Sequence, residues 1–584
     1  MVGFTIRWRA TLAGIAALLV LPARQHAQQA PQPPQTESSG PSRIDARVLL
    51  VAAHPDDEDT QLITWLVRGR GAETAYLSLT RGDGGQNLIG NELGEALGVI
   101  RTQELLAARR IDGARQFFTR AYDFGFSKSA EETFSHWPKE ELLGDVVKVV
   151  RAFRPHIIVA LFQERGGHGQ HQVSAVVARE AYDVASDTVR FPAGKFGQPW
   201  IPLKFYRTAR FSPALATLRI NVGEFNPALG ASYAEIAAES RSQHKSQGFG
   251  MLRRLGVVWD YITLEHARTS TPAVPGVERS IFDGLNIPHR GVSPESTRAE
   301  EVRRTVAFQA VADRQTAAPG EAVSVTKTIY NRGKTPVILR TTGVQSDSGS
   351  KRILPDSSYQ WVESIIVAEI TQPWWLSAPR TGDLFTPEIG AASEDARARA
   401  SWAKAAVLAD PLAPPVVLST PIVFHYVDPV RGDVQRPLVV APGISVTFDR
   451  SIELARSAAR LDRFINVTLR SAFGDTTSAS VALELPPTLR ADSIRRMVRL
   501  APGATRTLTF RVRGTLPRGT HEIRAVAEAK GRQFRSGYMP VEYEHIEPDR
   551  IYRPAALTIR SIDVALSPRL DVAYIQGVGD NAAP

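Results

Sequence analysis

Hydrophobic and polar positions change their rhythm near residue 300. Before it, short unbroken apolar runs alternate with stretches of helical period. After it, apolar residues mostly alternate one by one. Residues 47–53 read RVLLVAA, the continuous pattern of a strand buried on both faces. The run breaks at His54-Pro55-Asp56-Asp57-Glu58, and a helical pattern follows through Arg68. Acidic residues and a proline suit the first turn of such a helix. Residues 74–80 read as a second strand, which opens into a glycine-rich loop over 81–94. The pattern predicts helices over 95–110 and 142–153, and strands over 117–122 and 156–162. A loop over 163–170 precedes a helix over 171–185. Residues 204–208 and 218–222 can add strands, and 233–247 looks helical.

Strands alternating with helices mean βαβ units. Residues 43–300 are therefore expected to be α/β, a Rossmann-like, mostly parallel sheet with helices on both faces. The Pro-rich stretch TSTPAVPGVE announces the end of this unit between about 270 and 300. Alternating segments then follow, VAFQAV, AVSVTKTIYN and TPVILRTTGV, and from Pro437 GISVTFD, FINVTLRSA, SASVALELP, TRTLTFRVRG and THEIRAVAEA. Pro319-Gly320-Glu321, Pro442-Gly443-Ile444 and Pro502-Gly503-Ala504 each precede a strand. The reading is two all-β sandwich (Ig-like) modules, 301–432 and 433–548. Residues 570–576 read as one more strand, so the tail 549–584 is either the start of a further α/β domain or an edge strand returning to the last sandwich.

Composition narrows the classes. With 584 residues the chain is too long for one core, and 43% apolar with 22% charged residues describes a folded protein. The net charge of +10 is spread along the chain. Its basic runs, Arg109-Arg110 and Arg495-Arg496, are short and lack interleaved aromatics, so no nucleic-acid partner is expected. There is no cysteine, which excludes disulfides, thiolate metal sites and cysteine nucleophiles. Arg7 and Arg9, an apolar run over 10–21 and small residues to Ala27 describe a signal peptide over 1–27. A Pro/Gln-rich linker follows over 28–42. The protein is thus expected to be exported, periplasmic or extracellular, with no stable membrane span after cleavage.

The chemistry lies at two strand ends. His54 and Asp57 follow one buried strand, and His168 and His171 follow another. Carboxyl ends of strands are where open α/β sheets bind ligands. Two such ends side by side can close a metal site that neither makes alone. A His₂Asp set leaves one position open for water, the pattern of a catalytic zinc, and ferrous iron or cobalt also fits these donors. Asp56 and Asp57, being consecutive, point in different directions, so that one can bind metal while the other faces the water. Taken singly, the acidic turn is also what a helix N-cap looks like, and His-x-x-His what a solvent-facing helix start looks like. The loop Arg81-Gly82-Asp83-Gly84-Gly85-Gln86-Asn87 lacks the Walker lysine and Rossmann spacing, and reads as a rim loop beside the metal rather than a phosphate cradle. Gln243-His244 reads as pocket lining or a polar helix face, and Trp374-Trp375 as a sugar platform or buried core aromatics.

The order His54-Pro55-Asp56-Asp57-Glu58 after Ala52-Ala53, with a later His168-Gly169-Gln170-His171, resembles the PIG-L/LmbE family of zinc-dependent N-deacetylases over about 48–250. The resemblance implies one zinc per catalytic domain, held by His54, Asp57 and His171. It implies Asp56 as the general base that later protonates the leaving amine, and His168 as the group stabilising the oxyanion. Arg101, in Arg-Thr-Gln-Glu, matches a substrate-reaching arginine. Asp123, in Tyr-Asp-Phe-Gly, resembles an Asp-Gly loop on sugar hydroxyls, although Phe124 intervenes. Gly169-Gln170 replaces the commoner Pro-Asp, which leaves both histidines but alters the loop. The implied activity is removal of an acetyl group from an N-acetylated amino sugar or glycoconjugate. The alternative is an exported carbohydrate- or envelope-binding protein whose deacetylase-like domain is inactive.

Overall fold

The computed structural model describes residues 35–36, 45–210, 212–269, 278–287, 294–340, 350–387, 402–565 and 573–575. The signal-peptide reading of 1–27 lies outside them. So does the 28–42 linker, apart from the two-residue strand Gln35–Thr36. Of the expected strand over 570–576, only 573–575 is described, and it is irregular and exposed.

The α/β unit holds one eight-stranded sheet. Its strands are β1 (Gln35–Thr36), β2 (Arg47–Ala52), β3 (Glu73–Ser78), β4 (Arg115–Phe118), β5 (Ile157–Ala160), β6 (Lys204–Thr208), β7 (Leu218–Asn221) and β8 (Trp259–Ala267). The order is β1-β7-β8-β6-β5-β2-β3-β4. Strands β4, β3, β2, β5 and β6 are parallel neighbours, whereas β8 runs antiparallel to both β6 and β7. The sheet is thus mostly parallel, and β8, like the short β1, was not among the strands read from the sequence.

Among the described residues, its α-helices of five residues or more are α1 (Thr60–Thr64), α2 (Glu95–Asp112), α3 (Ala130–His136), α4 (Lys139–Phe153), α5 (Gly169–Val184) and α6 (Tyr233–Arg241). Strand β2 is apolar throughout because it feeds two cores. Leu49 and Val51 face α4 and α5, while Val48, Leu50 and Ala52 face α1 and α6. The chain leaves β2 towards β3 and β4 on one side, and later returns through β5 on the other. The β2/β5 boundary is therefore the switch point where ligand crevices form. The pairs Val48↔Ile157 and Val51↔Ala160 align the carboxyl ends of these two strands.

Several boundaries differ from the sequence reading. The helix after the acidic motif begins only at Thr60, lasts five residues and continues as a π turn, Trp65–Gly69. Its cap is Asp59, whose Oδ1 accepts from the Leu62 amide at 3.1 Å. Residues 56–58 therefore precede the helix instead of filling its first turn. Helix α5 starts at Gly169, so His171 lies in its first turn and His168 is its N-cap. The 233–247 helix is broken at Arg241, with a separate 3₁₀ turn at Lys245–Gln247.

Beyond residue 300 the described structure is nearly all strands. One long strand, Val416–Asp428, is shared by two layers: its first half pairs with Trp402–Leu408, and Ile422 to Phe424 pair with Ala310 to Ala312. Pro421 sits at the change of partner. The hairpin arm Gly432–Pro437 pairs back onto the same strand, across the 432/433 division read from the sequence. A four-stranded and a six-stranded sheet follow and bury Val467, Phe510, Val481 and Ala527 between them, as a sandwich does.

Candidate active site

Asp57 reaches the metal position because the chain turns sharply after β2. Its amide donates to the His54 carbonyl at 3.3 Å, and the His54 amide donates to Asp57 Oδ2 at 2.8 Å. The turn brings His54 Nδ1 to 3.2 Å from Asp57 Oδ2. From the neighbouring strand end, His171 Nε2 arrives 3.1 Å from His54 Nδ1 and 3.3 Å from Asp57 Oδ1. One donor atom from each of the three lies within 4.8 Å of the others, close enough to share an ion. The three residues that the resemblance nominates as metal ligands are therefore brought together.

The electrostatics suit a cation. Burial opposes protonation of His54, but the carboxylate of Asp57, helped by Asp123 and Asp56, raises it to about 10. Burial pushes Asp57 up, yet His54 and His171 hold it far below the usual carboxylate range. The cluster demands positive charge between one carboxylate and two imidazoles, a demand that a divalent ion meets. Phe162 stacks flat on His171, with ring centroids 3.8 Å apart, and so fixes that ring's plane.

Gln170 supplies the support behind His54. Its Oε1 lies 2.8 Å from His54 Nε2, and its Nε2 donates to the Gly125 carbonyl at 2.7 Å and to Asp123 Oδ1 at 3.2 Å. An amide oxygen there accepts Nε2–H, which selects the tautomer whose Nδ1 faces Asp57. Asp123 is only 3% exposed, and Oδ1 also accepts from the Gly125 amide at 2.9 Å. Asp123 Oδ1 thus holds the partner of the candidate ligand His54.

Asp56 lies beside the cluster, with its carbonyl accepting from Arg241 of α6. Burial first, and the charge of Asp57 second, raise its pKa against the opposing pull of His54 and Arg101. A carboxylate made more basic in this way is suited to take a proton. His168 stacks between His54 and Phe126, with centroids at 5.3 and 5.0 Å. Its Nδ1 is 3.2 Å from the Ser127 carbonyl, while burial and then the charge on His54 lower its pKa. With Nδ1–H given to Ser127, the other nitrogen carries a proton only in the cationic form. Phe126 is 73% exposed beside these rings and is the apolar residue of the rim that the sequence reading missed.

Arg101, 4% exposed, forms the inner wall. Its Nη2 donates to the Gln86 carbonyl at 2.8 Å. The glycines of the loop allow this closeness. A Cβ on Gly85 would stand 2.4 Å from Arg101 Nη1, and one on Gly84 would stand 2.3 Å from the Gly125 amide nitrogen. The loop is thus a rim element, as read, wedged between Arg101 and the 123–125 turn. His244 is fully buried on Glu58, at 2.7 Å. Glu58 also accepts from Arg109 Nη2 at 3.5 Å, so this carboxylate holds helices together behind the site. Trp374 and Trp375 are buried as well, but against Arg81 of the α/β unit.

Comparison with known proteins bears on the same segment. Residues 49–182 match the family model described as PIG-L: GlcNAc-PI de-N-acetylase. The mycothiol S-conjugate amidase of Streptomyces coelicolor is 27% identical over 181 residues, 28% of this chain and 61% of that protein. The 1D-myo-inositol 2-acetamido-2-deoxy-alpha-D-glucopyranoside deacetylase of Thermobispora bispora is 31% identical over 186 residues, 28% of this chain and 60% of that protein. The chain therefore spans about three fifths of the length of these curated relatives. Among solved structures, N,N'-diacetylchitobiose deacetylase from Pyrococcus horikoshii aligns over 34% of this chain and 70% of its own, at 18% identity and a TM-score of 0.26.

Proposed function

We propose, from the premise that the chain carries a PIG-L family domain at residues 49–182, that the protein is a zinc-dependent hydrolase removing the acetyl group of an N-acetylated amino sugar or glycoconjugate. The observation that carries this reading is the convergence of His54, Asp57 and His171 donor atoms, with Asp56 beside them. Imidazole and carboxylate donors without thiolates suit zinc, and leave ferrous iron and cobalt as ions to be tested beside it. Bound there, the ion supplies Lewis acidity that acidifies a water and polarises an amide carbonyl. Asp56 accepts the proton of the attacking water and returns it to the amide nitrogen as the C–N bond breaks. His168, held by Ser127, donates to the carbonyl oxygen in its protonated form, which the negative charge growing on that oxygen favours. Water and amide are consumed, and acetate and a free amine are released.

The relatives' names include both a deacetylase and an amidase, so a larger acyl group is the nearest rival substrate. A purely sugar-binding protein is less well supported, because all five residues at the metal position and around it are retained. The export reading rests on the N-terminal sequence alone. Among the described residues, no helix is long and apolar enough to cross a membrane. The test uses the full chain. Elemental analysis is expected to find about one zinc per molecule and a clear loss in His171→Ala. Asp56→Asn is expected to keep its zinc and to lose ~10²–10⁴-fold in acetate release from N-acetylglucosamine derivatives. Wild-type turnover in a zinc-loaded Asp56→Asn protein would remove Asp56 from its role.

A further inference from the structure

The β region touches the α/β unit at the segments that bear the non-metal wall of the site. Arg81 opens the glycine-rich loop, and its buried guanidinium lies 3.4 Å from the ring centroid of Trp375 and 4.0 Å from that of Phe118. At the far end of the loop, Asn87 Nδ2 donates to Glu92 Oε2 at 3.1 Å, and the same oxygen accepts from Tyr543 at 2.6 Å. Glu95, the first residue of α2, pairs with Arg380 at 3.3 Å and with Arg553. The chain leading to Asp123 is held too. Tyr122 donates its amide to the Asp383 carbonyl at 2.9 Å, and Phe385 donates to the Arg120 carbonyl at 2.7 Å. Behind these contacts, Val99 and Ile100 of α2 pack with Trp375, Phe385, Val541 and Ile551.

The metal half of the site is built differently. The described hydrogen-bond partners of His54, Asp57, His168 and His171 come from the α/β unit itself. The loop between the two anchors has no slack. Gly82 and Gly85 lie against Arg101, Gly84 lies against Gly125, and the Gln86 carbonyl accepts from Arg101. A shift of either loop end therefore moves Arg101 relative to the 123–125 turn.

We propose that Trp375 and Tyr543 are positioning residues for the hydrolase site. Acting through Arg81 and Glu92, they hold the two ends of the 81–94 loop, and so set where Arg101 stands. The β region then acts on how substrate is held, while the candidate metal ligands take their direct hydrogen bonds from the α/β unit. This rests on the hydrolase reading for its kinetic arm, and on the fold alone for its structural arm.

The full chain carries Tyr543→Phe, which removes one hydroxyl, Trp375→Leu, which removes the aromatic face, or Trp375→Phe, which keeps one. Amide hydrogen exchange, zinc affinity and steady-state hydrolysis of an N-acetylglucosamine glycoside are measured on each. Exchange across 82–87 is expected to quicken by about tenfold in Tyr543→Phe and Trp375→Leu, the effect of losing one contact to a charged group. Residues 54–57 and 168–171 are expected to exchange as before, with unchanged zinc affinity. KM is expected to rise by a similar factor, about tenfold, with kcat less affected, and Trp375→Phe is expected to restore most of the loss. Unchanged exchange across 82–87 overturns the proposal. Equal quickening in the loop and at the metal ligands overturns it as well, because the two residues then only stabilise the whole protein. If the wild-type chain releases no acetate, the hydrolase reading fails, and the exchange and zinc arms still decide the positioning role.

Discussion

Replacing Gln170 with leucine keeps the size of a buried side chain and deletes three hydrogen bonds at once. His54 Nε2 loses its acceptor at 2.8 Å, and the Gly125 carbonyl and Asp123 Oδ1 lose a donor at 2.7 and 3.2 Å. With an ion bound and His54 neutral, two of these bonds are between neutral groups, worth ~0.5–1.5 kcal/mol each, and the one to the carboxylate is worth ~1.5–3. If nothing replaces them, the loss is roughly 2.5–6 kcal/mol. Part of it falls on metal binding, because His54 is then free to take the tautomer that points a proton at Asp57. Loss of a hydrogen-bonding partner behind a ligand costs ~10–100-fold in metal affinity. The assay is competition with a chromophoric chelator on the full chain, beside circular dichroism to establish that α5 persists. Gln170→Glu separates the two functions of the amide. It still accepts from His54, but it sets a carboxylate against Asp123 and the Gly125 carbonyl, so stability is expected to fall further than zinc affinity. Unchanged zinc affinity in a folded Gln170→Leu protein would refute the argument that the amide selects the tautomer of His54.

Three further outcomes can be checked. Asp83 is pushed up to about 8, first by burial and then by the nearby Asp123. Its folded pKa exceeds the unfolded value near 3.8, so the folded state holds the extra proton between those limits and stability falls as pH rises through them, by about 1.4 kcal/mol per pH unit. Denaturant titrations of Asp83→Asn against the native chain from pH 4 to 8 should therefore diverge in favour of the variant, and parallel curves would show that the buried acid is compensated. Gly84→Ala would press a Cβ to 2.3 Å from the Gly125 backbone nitrogen, an overpacking expected to cost ~1–3 kcal/mol in thermal unfolding and to displace the 123–125 turn. Removing zinc should lower stability by RT ln(1 + [Zn]/Kd), ~4 kcal/mol at a thousandfold excess over Kd, and the loss should vanish in His54→Ala.

The convergence of His54, Asp57 and His171 was legible in the sequence because each half of the cluster is contiguous with an apolar run. His54 and Asp57 are read off the end of RVLLVAA, and His168 and His171 off the end of HIIVALF. Adjacency of the two strands in the sheet follows from βαβ logic. The rest of the site was not legible, because it depends on contacts between residues far apart in the chain. Nothing local says that the amide of Gln170 bridges His54 and Asp123, or that Arg241, 185 residues after Asp56, holds that residue's carbonyl. Helix α2 was read as a helix over 95–110 and is one, but its partners were not legible for a related reason. It is buried on nearly every side, including Arg101, Thr102, Gln103 and Glu104, so one apolar face could not announce two partners. Trp374 and Trp375 were correctly read as candidates for burial, but their partner Arg81 lies in the other unit. Strand β8 escaped notice because it returns antiparallel into a sheet whose other strands had set the expectation of βαβ units.

The clamp on Arg81 and Glu92 also has a consequence for how the protein is made. All three candidate metal ligands have been synthesised by residue 171, whereas the hydroxyl proposed to anchor the loop arrives only with residue 543. At ~5–20 residues per second a nascent chain spends from roughly twenty seconds to more than a minute with the first half of the candidate site complete and the second half unbraced. Until residues 374–385 are made, the face of α2 carrying Val99 and Ile100 lacks its β-region contacts, and it lacks those of Val541 and Ile551 until the end of the interval. Exposed apolar surface of this kind is where nascent chains associate wrongly or recruit chaperones. A fragment ending near residue 300 would remain in that condition permanently, and is expected to be the aggregation-prone form of the protein.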